Sequence, residues 1–405
     1  MTASDDRNRR IARRPMQGPV RASHLLGVGA FAVGTCELVL AGLLPELGSS
    51  LGVSVATAGQ VVTVFGVTAA LAGPVLAAFS VRWARRQVLL LALGLYLVGT
   101  ALSAAAGTFG LLLGAQVLAA CGAGLFLPTA TVTAATLEEP ERRGRAVAIV
   151  TTGMTVAIAV GAPLGTALAA IAGWRAVMLV LTGLALLVAV AVLAWIPPVQ
   201  AAPDELAGLR ERLKPLIDRR VLALLATTLV AFTAIYIPYT YISVVTEGAT
   251  GGDGLKLASI LVVLGVAGIA GNLLAGRLAD RVGGRPVVAG SLIGLVVVFL
   301  LTPYWSMSLP AALVAAAAYG VIGFGVSAPQ TYRILSLGGQ ASLSVALNGA
   351  ALYLAISLSG LLGAAVITTL DVGWLGVIAA VTAAVALVLS ELAQRVAIRS
   401  GARAG

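Results

Sequence analysis

The chain has 405 residues, of which 59% are hydrophobic and only 10% charged, with a mean hydropathy of +1.02. An ordinary soluble domain carries about 25% charged residues, so this little charge cannot cover a water-facing surface, and a soluble enzyme is excluded. At about 20 apolar residues per spanning helix, the apolar content supplies roughly twelve helices; its long unbroken runs exclude the short alternating strands of a membrane β-barrel.

Apolar runs predict spans at residues 24–44, 57–80, 87–106, 109–134, 146–171, 175–196, 221–245, 256–276, 286–303, 309–332, 341–369 and 373–394. Turn and charge signals separate them, among them Pro45-Glu46, Arg82 to Arg86, Glu138 to Arg145, Gly173-Trp174-Arg175 and Arg277 to Arg285. The expected fold is an all-α integral membrane protein of twelve transmembrane helices in two six-helix bundles. The longest polar break, residues 198–220, divides bundles at 23–197 and 221–395; basic tails occupy 1–22 and 396–405. Such internal duplication is typical of secondary transporters, whose substrate site lies between the halves.

The net charge of +10 is a matter of topology. Of 26 Lys and Arg residues, all but Arg175 and Lys256 fall in the tails and in alternate loops. Cytoplasmic loops carry such an excess, so both termini are expected on the cytoplasmic side of a bacterial inner membrane. Because the basic residues are spread over loops, no nucleic-acid partner is expected. Neither Lys214 nor Lys256 follows a glycine-rich phosphate loop. Two cysteines and one histidine cannot build a zinc-type site, so no metal is expected.

Glu37 is the acidic residue that stands well inside an apolar run. A charge at mid-bilayer costs a few kcal/mol even on lenient scales, so it must face a partner or a water-filled cavity. This makes Glu37 the candidate proton-coupling residue; the competing reading is a structural carboxyl bonded to a neighbouring helix. Gln60, Gln116, Tyr236, Tyr239, Tyr241, Asn272, Gln330 and Asn348 are candidate cavity residues, although each alone also suits an interhelical hydrogen bond. In the fifth span, Gly153, Ala157, Gly161, Gly165 and Ala169 form a row of small residues at every fourth position, which permits close helix packing. Pro163 should kink that span.

The segment between spans 8 and 9 contains Gly276, Asp280, Arg281, Gly283 and Arg285. It resembles the gating-loop signature of the major facilitator superfamily. The matching segment of the first half is degenerate, with Val81 where the acid would stand. The resemblance implies a charge latch on Asp280 that holds the cytoplasmic gate closed. Gly161, Pro163 and Gly165 resemble the fifth-helix motif of antiporters in the same superfamily. Phe31 to Glu37, Gly42 to Glu46, Gly173 to Arg175, Tyr239 to Ile242, Pro329 to Thr331 and Ala346 to Asn348 resemble the twelve-helix drug:proton antiporter group, in its arabinose-efflux-like and chloramphenicol-resistance-like branch. In that branch an acid occupies the place of Glu37. Gln116 stands where many drug exporters have an arginine.

The resemblance implies a proton-coupled exporter of small molecules, working by alternating access as a monomer. It would need no cofactor beyond the proton gradient, and its partners would be the substrate, protons and the bilayer. A proton-coupled importer and a non-transporting membrane sensor are the alternatives.

Overall fold

The computed structural model describes residues 19–80, 82–200, 209–337 and 341–401. Most of the basic N-terminal tail, Val81, part of the 198–220 linker and the end of the C-terminal tail lie outside the described residues. In a bilayer every backbone amide and carbonyl must be satisfied within the protein, and a helix does this along one continuous segment. Among the described residues there are helices and no strands. Eleven of the helices are long and apolar enough to cross a membrane. In chain order they are α1 (Ala22–Leu51), α2 (Val55–Phe79), α3 (Arg85–Ala104), α4 (Phe109–Leu137), α5 (Pro140–Ala172), α6 (Trp174–Trp195), α7 (Arg219–Thr240), α8 (Gly254–Val282), then, after one shorter helix, α10 (Leu309–Leu335), α11 (Leu343–Thr369) and α12 (Trp374–Arg395). The shorter helix, α9 (Gly284–Leu300), completes the expected set of twelve. Its 17 residues rise about 26 Å, slightly less than the hydrocarbon core. The expected run to residue 303 is interrupted because Pro303 opens a separate short helix, Thr302–Trp305.

Polar residues at helix starts satisfy the free amides there. Ser54 accepts from the Thr57 amide at 3.1 Å, Thr108 from Leu111 at 3.3 Å, and Asp253 from Leu255 at 2.8 Å. Asp218 accepts from the Arg220 amide at 2.8 Å and binds the Arg220 guanidinium; that side-chain bond holds its carboxyl below the usual range.

Two expected boundaries move. Pro45-Glu46 does not end the first span: α1 continues through Pro45 to Leu51. The segment Gly276 to Arg281 is also not a loop. It forms the last turns of α8, and the turn is confined to Gly283 at φ 86°. Only glycine adopts that conformation without strain.

Helices within each half approach closely at small residues. A methyl on Gly73 of α2 would meet the Gly124 carbonyl of α4 at 2.8 Å. Across the halves, α2 packs on α11, α5 on α8, and α1 on α7. A methyl on Gly66 would meet the Tyr353 carbonyl at 2.7 Å, and one on Gly265 the Ile158 carbonyl at 2.6 Å. These backbone approaches leave no room for solvent between the two helices of each pair at that depth. α1 is the most enclosed span, with 78% of its apolar window buried against 33% for α6.

Candidate functional site

Glu37 lies on α1 at the seam between the halves and is 6% exposed. The Tyr353 hydroxyl of α11 faces its carboxyl from the other half. The second oxygen, Oε2, is buried without a partner. Around it stand Leu38, Val62, Tyr236, Tyr239 and Ile356, enclosing a cleft of about 10 Å³, room for about one water. Tyr236 and Tyr239 meet edge-to-face, their centroids 5.7 Å apart, and the Tyr239 hydroxyl donates to the Leu38 carbonyl at 3.4 Å. The Tyr319 hydroxyl of α10 donates to the Ile235 carbonyl of α7. Tyr96 braces α1 from behind, donating to the Ala32 carbonyl at 2.7 Å.

Of the cavity candidates, Tyr236 and Tyr239 therefore gather around Glu37; the others do not. Tyr241 donates to the Gly360 carbonyl at 2.7 Å, near the end of the seam remote from the chain termini. Gln60 is half-buried beside Gly59, which abuts the Tyr241 ring. Gln116 is fully buried between α4 and α3, donating to Ser103 at 3.1 Å. Asn272 accepts the Ala328 amide at 3.2 Å, one of the amides freed where α10 breaks after Phe324. Gln330 donates to the Leu224 carbonyl and to Thr228, and Thr228 donates to Asn348 at 2.7 Å, a polar chain joining α10, α7 and α11.

The row of small residues on α5 faces α1. Gly161 packs on Thr35 and Gly165 on Val39. Just ahead of Pro163, residues Ala157–Gly161 form a single widened helical turn, a device that absorbs a missing amide and recurs at functional sites. The outer side of this turn is the surface that Gly265 of α8 touches.

In the α8–α9 segment, Asp280 is exposed and makes no polar contact among the described residues. Arg285 instead forms an ion pair with Glu391 of α12.

The bonds that join the halves begin at Leu38 of α1 and continue away from the termini: Tyr239 to Leu38, then Ser243 to the Ala41 carbonyl at 3.4 Å. Toward the terminus-bearing face, a largely apolar groove of about 430 Å³ opens on α1 and α5, lined by His24, Phe31, Thr152 and Val156. On the opposite face a recess of about 800 Å³ lies between the halves, with Glu46, Glu247 and Asp253 on its walls.

Tyr353 and Tyr319 were not distinguished by the sequence. Both are tyrosines inside apolar runs, remote from the interfacial positions that aromatic residues usually take, and that displacement is the available signal.

A bundle of this kind, with a buried acid at the joint of its halves, has the build of a secondary transporter. The chain matches the Major Facilitator Superfamily over residues 26–337 and belongs to that family. It is 30% identical to the inner membrane transport protein YdhP of Escherichia coli strain K12, over 91% of this chain and 95% of that one. It is 33% identical to a chloramphenicol resistance protein of Streptomyces lividans, over 67% of this chain and 70% of the other. It is 30% identical to a chloramphenicol efflux pump of Mycobacterium tuberculosis, over 68% and 67%. Among solved structures, it shares its fold with a bacterial homologue of the human lysosomal transporter Spinster in an inward-facing, unoccupied conformation. The TM-score is 0.74, with 17% identity over 94% of this chain and 97% of that one. The nucleoside transporter NupG gives a TM-score of 0.71, with 11% identity over 93% and 99%. The chain is thus a multi-pass membrane protein of a transporter family.

Proposed function

We propose that this protein is a proton-coupled exporter of small molecules in the bacterial inner membrane, with both termini cytoplasmic and Glu37 as the proton carrier. The observation that carries the reading is the buried Glu37 carboxyl, with one oxygen unpartnered, at the joint of the halves. A carboxyl in that position is reached from one face or the other as the halves rock. With the face remote from the termini open, Glu37 takes up a proton. With the terminus-bearing face open, the proton leaves and substrate enters between the halves. The groove beside Phe31 and Val156 suits an apolar substrate, and the efflux pumps named above support the outward direction. No cofactor enters this cycle; the proton gradient drives it.

Proteoliposomes with an imposed pH gradient test the reading, with chloramphenicol as the first probe in a panel of antibiotics and dyes. A panel compound should be exported in exchange for protons. Glu37→Gln should insert normally and abolish gradient-driven export. Full export by Glu37→Gln would refute the role of the acid.

A further inference from the structure

Arg333, near the terminus-bearing end of α10, is 7% exposed. Its guanidinium donates to Gln330 Oε1 at 3.2 Å, to the Ser390 hydroxyl at 2.8 Å and to the Ser390 carbonyl at 3.1 Å. All three acceptors are neutral. A buried charge is costly unless it is paired, and here the pairing is incomplete. Glu391 is the carboxylate within electrostatic reach, and it is shared with Arg285 and Arg395; its direct ion pair is with Arg285.

Arg333 also forms part of the wall of a cavity of about 360 Å³ between α7, α10 and α12, together with Arg220, Ser336 and Gln394. That size is within the range of small-ligand sites. Arg220 stands at its rim, held by Asp218 at 2.8 Å. Four guanidiniums in this neighbourhood, at positions 220, 285, 333 and 395, therefore face two carboxylates, Asp218 and Glu391.

We propose that this cavity is an anion site for a phosphate-bearing group, bound by Arg333 from the buried side and Arg220 from the rim. Arginine presents a planar fork of donors that matches phosphate oxygens. The cavity lies at the terminus-bearing end of the helices, where basic pockets between membrane helices meet anionic headgroups. The same chemistry fits an anionic phospholipid headgroup or a soluble phosphate compound.

The test uses the full-length protein in neutral detergent. Its unfolding midpoint is titrated with short-chain phosphatidylglycerol, short-chain phosphatidylcholine or inorganic phosphate, each at matched ionic strength. A ligand of the folded state raises the midpoint saturably. Saturable stabilisation by phosphatidylglycerol but not by inorganic phosphate identifies a lipid site; stabilisation by both identifies a site for soluble phosphate groups as well. Arg220→Gln should weaken half-saturation about tenfold, the loss of one charge-assisted hydrogen bond. Arg333→Gln should do the same or more. Should Arg333→Gln fail to fold, the rim variant decides alone. Equal stabilisation by phosphatidylcholine, no stabilisation by either anion, or an unchanged half-saturation in Arg220→Gln would overturn the proposal.

Discussion

The Tyr353 hydroxyl of α11 faces the carboxyl of Glu37 on α1, so a phenol of the second half stands against the intramembrane acid of the first. A charged or neutral carboxyl at that depth needs a donor or water, and Tyr353 is a candidate donor from the second half.

Tyr353→Phe removes the donor and keeps the ring. A hydrogen bond between the two side chains would contribute about 1 kcal/mol. Gradient-driven export should fall roughly fivefold if the bond is made only in one step of the cycle. Insertion and expression should be unchanged. Initial rates in proteoliposomes, with Glu37→Gln as the null reference, check the outcome; a rate equal to that of the unmodified protein would detach Tyr353 from coupling.

Much of this was legible in the residues. Twelve apolar runs gave twelve helices, and the rarity of acids inside them singled out Glu37. The misplacements have physical causes. Gly276 and Arg277 carry turn and charge signals, yet the α8 helix keeps its backbone bonds until a residue with positive φ is required, and that residue is Gly283. Pro45 lies inside α1, where the missing bond is local and the helix resumes. Gln116 and Tyr353 are equally isolated polar residues in apolar runs. Only the packing of α4 against α3 and of α11 against α2 decides that Gln116 meets Ser103 while Tyr353 meets Glu37.

Gly265 tests the seam itself. A branched side chain there would collide with the backbone of Ile158 and Ala159, the nearest approach being 2.6 Å. Gly265→Val should hold α8 away from α5 and keep the face remote from the termini from closing. A reporter is Ala41→Cys, placed where the Ser243 hydroxyl covers the α1 backbone, with Cys36 and Cys121 replaced by alanine. A membrane-impermeant maleimide added from that face should label the reporter faster in Gly265→Val. Export should be lost in parallel. Unchanged labelling would mean that this contact does not keep the halves together.

Asp280 is the acid of the segment that resembles the gating-loop signature, and it is exposed. Among the described residues Asp280 makes no polar contact, so no latch on it is engaged there. Asp280→Asn should therefore leave the unfolding free energy within about 0.5 kcal/mol of the parent, as for an ordinary surface change. In the latch reading its effect should fall on the transport rate, because a closed state anchored by Asp280 would be weakened. Thermal unfolding and initial export rates, measured together, separate the two. A large loss of stability with an unchanged rate would make Asp280 a structural residue.

Glu46 joins the first and sixth spans at the face remote from the termini. Its Oε1 accepts the Trp174 amide at 2.9 Å, the first amide of α6 after the Gly173 turn, and Ser50 accepts the Trp174 indole at 2.8 Å. A carboxylate at a helix N-terminus satisfies a free amide and complements the helix dipole. Glu46→Ala removes both effects and should cost about 1 kcal/mol. Glu46→Gln keeps an acceptor oxygen and should recover roughly half of that loss, since the dipole interaction with charge is worth 0.3–1 kcal/mol. Reversible unfolding in mild detergent ranks the three proteins. If alanine and glutamine variants are equally stable, the bond to Trp174 contributes nothing and the turn is held by Gly173 and the buried Trp174 ring alone.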